Sequence, residues 1–435
     1  MKTGTLTISF LIYLFLSMNL YAQQDSKETL TLTNAINLAI HNQPLIEQAM
    51  DQVDAAEAKI MQQKSSFYPR VQGDLSYTRL GPVTEIAVAG HSFQLYPADN
   101  YDAKIVASEL VYDFGKRRAI LDLMKTYKLT ALDKIDLIRH NLAFQAIRTY
   151  YTILFLEKTI KVNDERINTL QKHLAVTQKK VESGTATDFD ILTTQVKVAE
   201  AQNQRTDTEN ILNKQRLTLN SLTGRPSDAP LILSGEFTVD SSDINIESLI
   251  NEAYSSRPEI KLAKDAANNA SLSEKAAALT DRPDLSVMAS AGFKNGYQPD
   301  LNEPIGNWTA GIHASIPIFN GHLKNAKVAE ARAKMKSSSD ELKELKRQIK
   351  LEVEQAAEDL QANKAKIKTS KVQVEHAKKA VSRADSQYKD GIITNLDLID
   401  TETALAQAKL MYLRIIYENV LNQYNLKRTT GALLR

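Results

Sequence analysis

Cysteine is absent from all 435 residues. No disulfide framework, iron–sulfur site, thiol nucleophile or cysteine-borne lipid anchor can therefore rest on this chain. An excess of charge of one sign is also lacking. The 54 basic and 52 acidic residues leave a net charge of +2, which gives no case for nucleic-acid binding, since that wants a basic excess gathered on one face. Beyond the N-terminus no apolar run approaches the roughly 18 residues of a spanning helix. A polytopic helical membrane protein is excluded. Glycine and proline are scarce, at 15 and 11 residues, and their placement says more than their number. No Pro occurs from Ala98 to Arg225 or from Ile318 onward, and no Gly from Lys116 to Ser183, Thr185 to Thr223 or Leu323 to Asp390. These are the strongest helix breakers. Stretches this long without them predict helices far beyond the usual mean of about 11–12 residues.

The N-terminus reads as an export signal over residues 1–22. Lys2 precedes Leu6–Leu16, where nine of eleven residues are apolar. That fits a signal core and is too short to span a bilayer. Cleavage is expected after Ala22, leaving Gln23 first. With no Cys after that point, no N-terminal lipid anchor is expected.

The rest of the chain is a tandem repeat. Pro44 and Pro69 recur as Pro258 and Pro283, at an offset of 214. Gly184, Thr187, Asp190, Thr194 and Gly224 recur as Gly391, Thr394, Asp397, Thr401 and Gly431, at an offset of 207. The drop of seven predicts a shorter loop in the second copy. The first repeat is assigned to 23–224, a mixed linker to 225–245 and the second repeat to 246–435. In the first, a short helix at Thr33–His41 precedes one opened by Pro44. Alternating segments at 71–80 and 103–114 read as strands around a long loop. Helices at 116–182 and 188–222 follow. The second repeat reads as a helix to about Thr280, strands 284–296 and 308–319, and helices 323–390 and 395–430. Leu342, Leu345, Ile349, Val353, Ala356 and Leu360 form a narrow stripe near coiled-coil spacing. The rest of that helix is polar or Ala and must meet water on more than one side.

The strand segments have the length of tilted strands crossing a hydrocarbon layer. Residues 67–114 and 283–319 carry 12 of the 28 aromatics, placed where interfacial girdles belong. Four strands cannot close a barrel, and in lipid each unpaired edge group costs several kcal/mol. If these strands span a membrane, several chains must share one barrel. Three chains give twelve strands, and about twelve full-length helical rods to match.

At this point the sequence closely resembles the TolC-like outer membrane efflux protein family, over essentially the whole mature chain. The carriers are the opening Leu30-Thr-Leu-Thr-Asn-Ala-Ile, Asn-Gln-Pro at 42–44, Val111-Tyr-Asp-Phe-Gly-Lys-Arg, Ile316-Pro-Ile-Phe-Asn-Gly, and the two turns Gly184-Thr-Ala-Thr-Asp-Phe-Asp-Ile-Leu and Tyr388-Lys-Asp-Gly-Ile-Ile-Thr-Asn-Leu-Asp-Leu-Ile-Asp. The resemblance implies a mainly helical protein with membrane β-structure. It implies a homotrimer sharing a 12-stranded β-barrel in outer membrane lipid and an α-barrel across the periplasm. Its partners would be a periplasmic adaptor (a membrane fusion protein) and an inner-membrane pump, with the chain itself a passive exit duct for efflux or type I secretion.

The two turns are the candidate site. Thr187 with Asp190, and Thr394 with Asp397, have the spacing of a capping box. Asp400 lies three residues after Asp397 on the same helix face, and a cap does not explain it. In the family a pair of Asp at this spacing lines the closed periplasmic constriction, and a Tyr before the turn Gly helps hold it shut. Asp397, Asp400 and Tyr388 match those positions. Where the family has a basic residue two positions after the Gly, this chain has Ile393. The turn residues Gly184, Thr185, Ala186 and Thr187, with Gly391, Ile392, Ile393 and Thr394, are the expected adaptor contacts. The seven His are scattered without ligand spacing, and no P-loop, Gly-x-Ser-x-Gly or His-Glu-x-x-His is present. No enzyme site, metal or cofactor is expected. The competing reading is a periplasmic coiled-coil structural or adaptor protein without a pore. It would need a Gly- and Val-rich lipoyl-like domain where this chain carries strand pairs.

Overall fold

A computed structural model describes residues 29–88, 90–238 and 244–434. The export signal read over 1–22 lies outside them. Helix α1 (Leu32–His41) is capped by Thr31, whose hydroxyl accepts from Asn34 N at 3.2 Å. Helix α2 (Pro44–Ser65) opens on Pro44, which has no N–H to leave unpaired in a first turn. Strands β1 (Arg70–Arg79), β2 (Glu85–Val88), β3 (His91–Gln94) and β4 (Asp99–Tyr112) lead into α3 (Lys116–Glu182) and α4 (Asp188–Leu222). The second half runs α5 (Ile246–Ser256), α6 (Pro258–Ala278), β5 (Asp284–Lys294), β6 (Ile305–Ser315), α7 (Leu323–Lys389) and α8 (Asn395–Thr430). Helices α3 and α7 each have 67 residues, or roughly 100 Å at about 1.5 Å per residue. No helix among the described residues is long and apolar enough to cross a membrane.

The repeat extends to backbone angles. Left-handed residues recur at the offset of 207: Gly184 and Gly391 at φ 74°, Gly224 and Gly431 at 68° and 78°. Phe114 and Gly115, at 53° and 89°, answer to Gly321 and His322, both at 66°. Each pair turns a strand exit into a long helix. A Cβ on Gly431 would meet the Ser256–Arg257 backbone at 2.8–2.9 Å, so glycine is required there for space as well as angle.

The largest buried cluster joins α1, α3, α4, α8 and the linker. It includes Leu30, Ile147, Tyr150, Ile153, Leu219, Leu231 and Val420. The Tyr150 hydroxyl reaches the carbonyl oxygens of Leu30 and Ser234, at 2.9 and 2.5 Å. An isolated parallel bridge, Leu30 to Leu233, stitches the linker to the start of the first repeat. The predicted stripe on α7 does bury: Ile349 and Val353 are sealed against Ala253 and Ile260, with Leu342 and Leu345 at the margin.

The four long strands form one antiparallel sheet in the order β1–β4–β5–β6. The hairpins match, with Arg70 opposite Ser108 in the first and Asp284 opposite Ser315 in the second. The alternation yields two unlike faces. One carries Val71, Leu75, Tyr77, Ile105, Ala107, Ala289, Phe293, Trp308 and Ile312, and the other Gln72, Asp74, Asp102, Lys104, Ser290, Thr309 and His313. On the apolar face Leu75 is 85% exposed, Trp308 78% and Ile312 76%.

Beyond a one-residue shift of β1, the strands differ from the sequence reading in four places. The long loop holds a hairpin, β2 with β3, turned at Gly90 with φ 84°. The strand read as 103–114 runs from Asp99 to Tyr112. It ends because the Asp113 carboxylate accepts from Gly115 N and Arg117 N, at 3.1 and 2.8 Å, and draws the chain into α3. The strand read as 308–319 runs from Ile305 to Ser315. Its partner β5 begins only at Asp284, opposite Ser315, and Pro317 has no N–H to donate. Likewise 284–296 stops at Lys294, where the Asn295 side chain takes over the pairing with Tyr101 N and Asp99 O.

Candidate functional site at the helical tips

The two helical hairpins, α3–α4 and α7–α8, end in turns of the same construction. After α3 the amide of Thr185 reaches back to Lys180 O at 2.8 Å, around Gly184. After α7 the amide of Ile392 reaches back to Gln387 O at 2.8 Å, around Gly391. Both satisfy orphan carbonyls in the manner of a glycine-stopped helix. The next helix starts on a complete capping box in each case. Asp190 N donates to Thr187 Oγ1 at 3.3 Å, and Thr187 N to Asp190 Oδ2 at 2.9 Å. Asp397 N donates to Thr394 Oγ1 at 3.2 Å, and Thr394 N to Asp397 Oδ2 at 2.9 Å. The Thr394 hydroxyl and amide hold the Asp397 carboxyl below its usual range.

The acidic pair and the tyrosine occupy different surroundings. Asp397 and Asp400 are exposed on α8, flanking the buried Leu398 and Ile399. Tyr388 is buried on α7 and packs with Ala384, Leu398 and Ile393. Its ring stands edge-on to His173 at 5.0 Å, and its hydroxyl lies 3.4 Å from Thr177 Oγ1. Lys180 Nζ donates to Tyr388 O at 2.6 Å and sits 4.0 Å over the ring. Tyr388 thus ties the second hairpin to the first. Of the turn residues, Thr185 and Ile392 are exposed, while Ala186 and Ile393 are half-buried.

At the centre of this contact is a buried polar hub that sequence reading missed. The Asn395 side chain, at the first position of α8, accepts from His173 Nε2 at 2.6 Å. It donates to Asp190 O and Thr194 Oγ1 at 3.2 and 3.3 Å. His173 is therefore the Nε2–H tautomer when neutral. Burial pushes its imidazole below the usual value, against the opposing effects of the hydrogen bond it donates to Asn395 and the charge of Asp385. Two turns along α8, burial pushes the Glu402 carboxyl up to about 7, with the Asp385 charge adding. One further feature escaped the sequence reading. Phe189, Leu192 and Val196 form an apolar stripe on α4, at 74%, 60% and 55% exposure. Their i, i+3, i+7 spacing on a polar helix was the available signal.

A two-part geometry is now in place: a sheet with one apolar face, and roughly 100 Å rods ending in matched capped turns. The profile of the family described as outer membrane efflux protein matches residues 35–225 and 249–432. The chain belongs to the outer membrane efflux protein family. The two matched segments correspond to the two copies of the tandem repeat. The alkaline protease secretion protein AprF of Pseudomonas aeruginosa is 23% identical, across 87% of this chain and 80% of its own. The outer membrane efflux protein BepC of Brucella suis is 19% identical, across 93% and 86%. Among solved structures, the Campylobacter jejuni CmeC outer membrane channel superposes with a TM-score of 0.79 at 15% identity, covering 92% of this chain and 86% of that one. The open-state Neisseria gonorrhoeae MtrE outer membrane channel does so at 0.75 and 17%, covering 93% and 89%. The fold of this efflux-family chain, mainly helical with two tandem repeats and a four-stranded sheet, is that of these channels.

Proposed function

We propose that the protein is an outer-membrane exit duct for efflux or type I secretion, working as a homotrimer. The sheet carries the reading. It has a broad apolar face, a polar opposite face, and two outer edges, β1 and β6, that no other described strand of the chain covers. Three copies complete a twelve-stranded barrel with apolar residues toward lipid and polar residues toward a water-filled lumen. The rods continue that lumen through the periplasm. The chain is a passive conduit; an inner-membrane pump supplies energy, joined through a periplasmic adaptor.

The tips divide the remaining work. Asp397 and Asp400, exposed on α8, form acidic rings at the periplasmic constriction and favour cations. Tyr388 holds the two hairpins together behind them. The adaptor meets the turn residues 184–187 and 391–394 and the Phe189–Leu192–Val196 stripe beside them. Ile393, with Tyr388 and Leu398, closes the turn by apolar packing where the family has a basic residue. The test is migration of detergent-extracted outer membranes on gels, unboiled and boiled, with conductance of the purified chain in a planar bilayer. A trimer that collapses on boiling and conducts ions supports the duct. A water-soluble monomer refutes it.

A further inference from the structure

The two repeats also meet through their helices, where α3 of the first packs on α6 of the second. Lys116 opens α3 next to the sheet, and Ala278 closes α6 there. Asp133 and Asp265 come together roughly 20–25 Å along the rods from that level, at about 1.5 Å per residue. The Asp265 carboxyl lies within hydrogen-bonding reach of the Asp133 carboxyl. One turn along α6 from Asp265, Asn269 Nδ2 donates to Thr130 Oγ1 at 3.0 Å. That hydroxyl spends its own proton on Thr126 O at 3.1 Å, so the carboxamide cannot be turned the other way round. Asn269 is 8% exposed, and its Oδ1 is buried without a partner among the described residues, as is Asp265 Oδ2. Both orphan oxygens belong to side chains that fill this one gap between α3 and α6.

Two touching carboxylates cannot both stay ionised with nothing between them. Lys261 Nζ, 2.6 Å from Asp133 Oδ1, balances one of them from an exposed side chain. Asp136, another acid acting on Lys261, has Arg139 at 3.5 Å. One negative charge is left over. We propose that Asp133, Asp265 and Asn269 hold a divalent cation of the calcium class, which ties the first repeat to the second. Each available ligand atom is a hard oxygen, from two carboxylates and a carboxamide, and waters can complete a shell of about six to eight. A shared proton would answer only the contact between the carboxyls and leave Asn269 Oδ1 bare. No group of three or more His, Cys, Asp or Glu is placed to hold a metal among the described residues, so the site emerges only when the neutral oxygen is counted. The repeat gives separate support. Of the six charged residues of α2, Asp51 alone meets a charge of its own sign at the offset of 214, and that residue is Asp265. Asp133 likewise recurs at 207 as Asp340, although its neighbours Lys134 and Asp136 recur with reversed sign, as Glu341 and Lys343. The two acids persist where the charges around them changed.

The test titrates calcium chloride, at constant ionic strength, into the full-length protein purified in detergent and stripped with EDTA. Amide exchange over residues 128–136 and 262–270 is the readout. With so few protein ligands the half-point should fall at about 0.1–1 mM, the range of weak oxygen sites. At about 10 mM calcium the exchange should then slow by about ten- to hundredfold, as one plus the ratio of calcium to Kd. Asp265→Asn, a neutral group of the same shape, should abolish that protection. Lys261→Gln should lower the half-point, because the ammonium no longer competes for Asp133; a merely structural ion pair would give no such gain. Asp122→Asn, on α3 beside Arg118 and Lys125, should leave the titration unchanged. Overall folding of each variant is checked by its unboiled gel migration. Calcium-independent exchange in the unaltered chain, protection that survives Asp265→Asn, or a half-point that Lys261→Gln raises would each overturn the site. None of these outcomes bears on the duct reading, which the gel and the bilayer test by themselves.

Discussion

Replacing Ile105 by Lys asks which solvent the sheet faces. Ile105 lies mid-strand in β4, opposite Gly73 and Ala291, and is 62% exposed in the single chain. If that face met water, a substitution at so open a position would cost within about 0.5 kcal/mol. If it meets hydrocarbon, a lysine near the midplane costs about 2–4 kcal/mol per copy. At about 1.4 kcal/mol per tenfold, the insertion equilibrium falls by roughly 30- to 1000-fold for each chain, and a trimer carries three. The control is Ser76→Lys, on the polar face opposite Asp102, where a cation gains a partner. The assay is the amount of chain in the outer-membrane fraction, together with the urea midpoint of the protein refolded into lipid vesicles. Ile105→Lys should lower both sharply, and Ser76→Lys should leave both near wild type. Equal effects from the two substitutions would refute the assignment of lipid and lumen faces.

Other outcomes follow from the tips. Asn395→Ala leaves the buried His173 Nε2–H without its partner, while the Thr194 hydroxyl keeps its bond to Asp190 O at 2.7 Å; at about 1–3 kcal/mol per buried orphan, the junction should weaken by about 1–3 kcal/mol, seen as faster amide exchange over residues 394–400, and unchanged exchange would remove the hub. The raised carboxyl of Glu402 is protonated more readily folded than unfolded, so its contribution is full below its unfolded value of 4.5 and is lost as pH rises through about 7. Glu402→Gln should therefore raise Tm at pH 8 more than at pH 5, and equal shifts would refute its burial. His173 has the opposite sign: its depressed imidazole favours folding above the unfolded value of 6.5 and loses that contribution as pH falls through the folded value. Asp397→Ala with Asp400→Ala should change both conductance and cation preference in a planar bilayer; the acidic rings do not survive if neither moves.

Much of this architecture was legible along the chain because its signals are local. The empty stretches between Gly115, Gly184 and Gly224 bounded α3 and α4 to within a residue or two, since a helix is limited by its own breakers. The Thr187–Asp190 and Thr394–Asp397 boxes were readable for the same reason, as a cap and its partner sit three residues apart. The strands were found by alternation, but their ends were not. An end depends on what lies alongside: Ser315 is last because Asp284 is first, and Asn295 stops β5 by pairing with the distant Tyr101.

Sequence alone determined the two copies, the length of the rods, the capped turns and the alternation that gives the sheet its two faces. Each of these is a property of neighbours within a few residues, or of identity at a constant offset. The tertiary structure decided that β4 lies beside β5, that Tyr388 is buried between hairpins rather than set beside Asp397, and that His173, Thr194 and Asn395 share one hub across more than 200 residues of chain. Those facts come from packing and hydrogen bonding between segments remote in sequence. There, a lone histidine or asparagine carries no mark of its partner until the fold brings the two together.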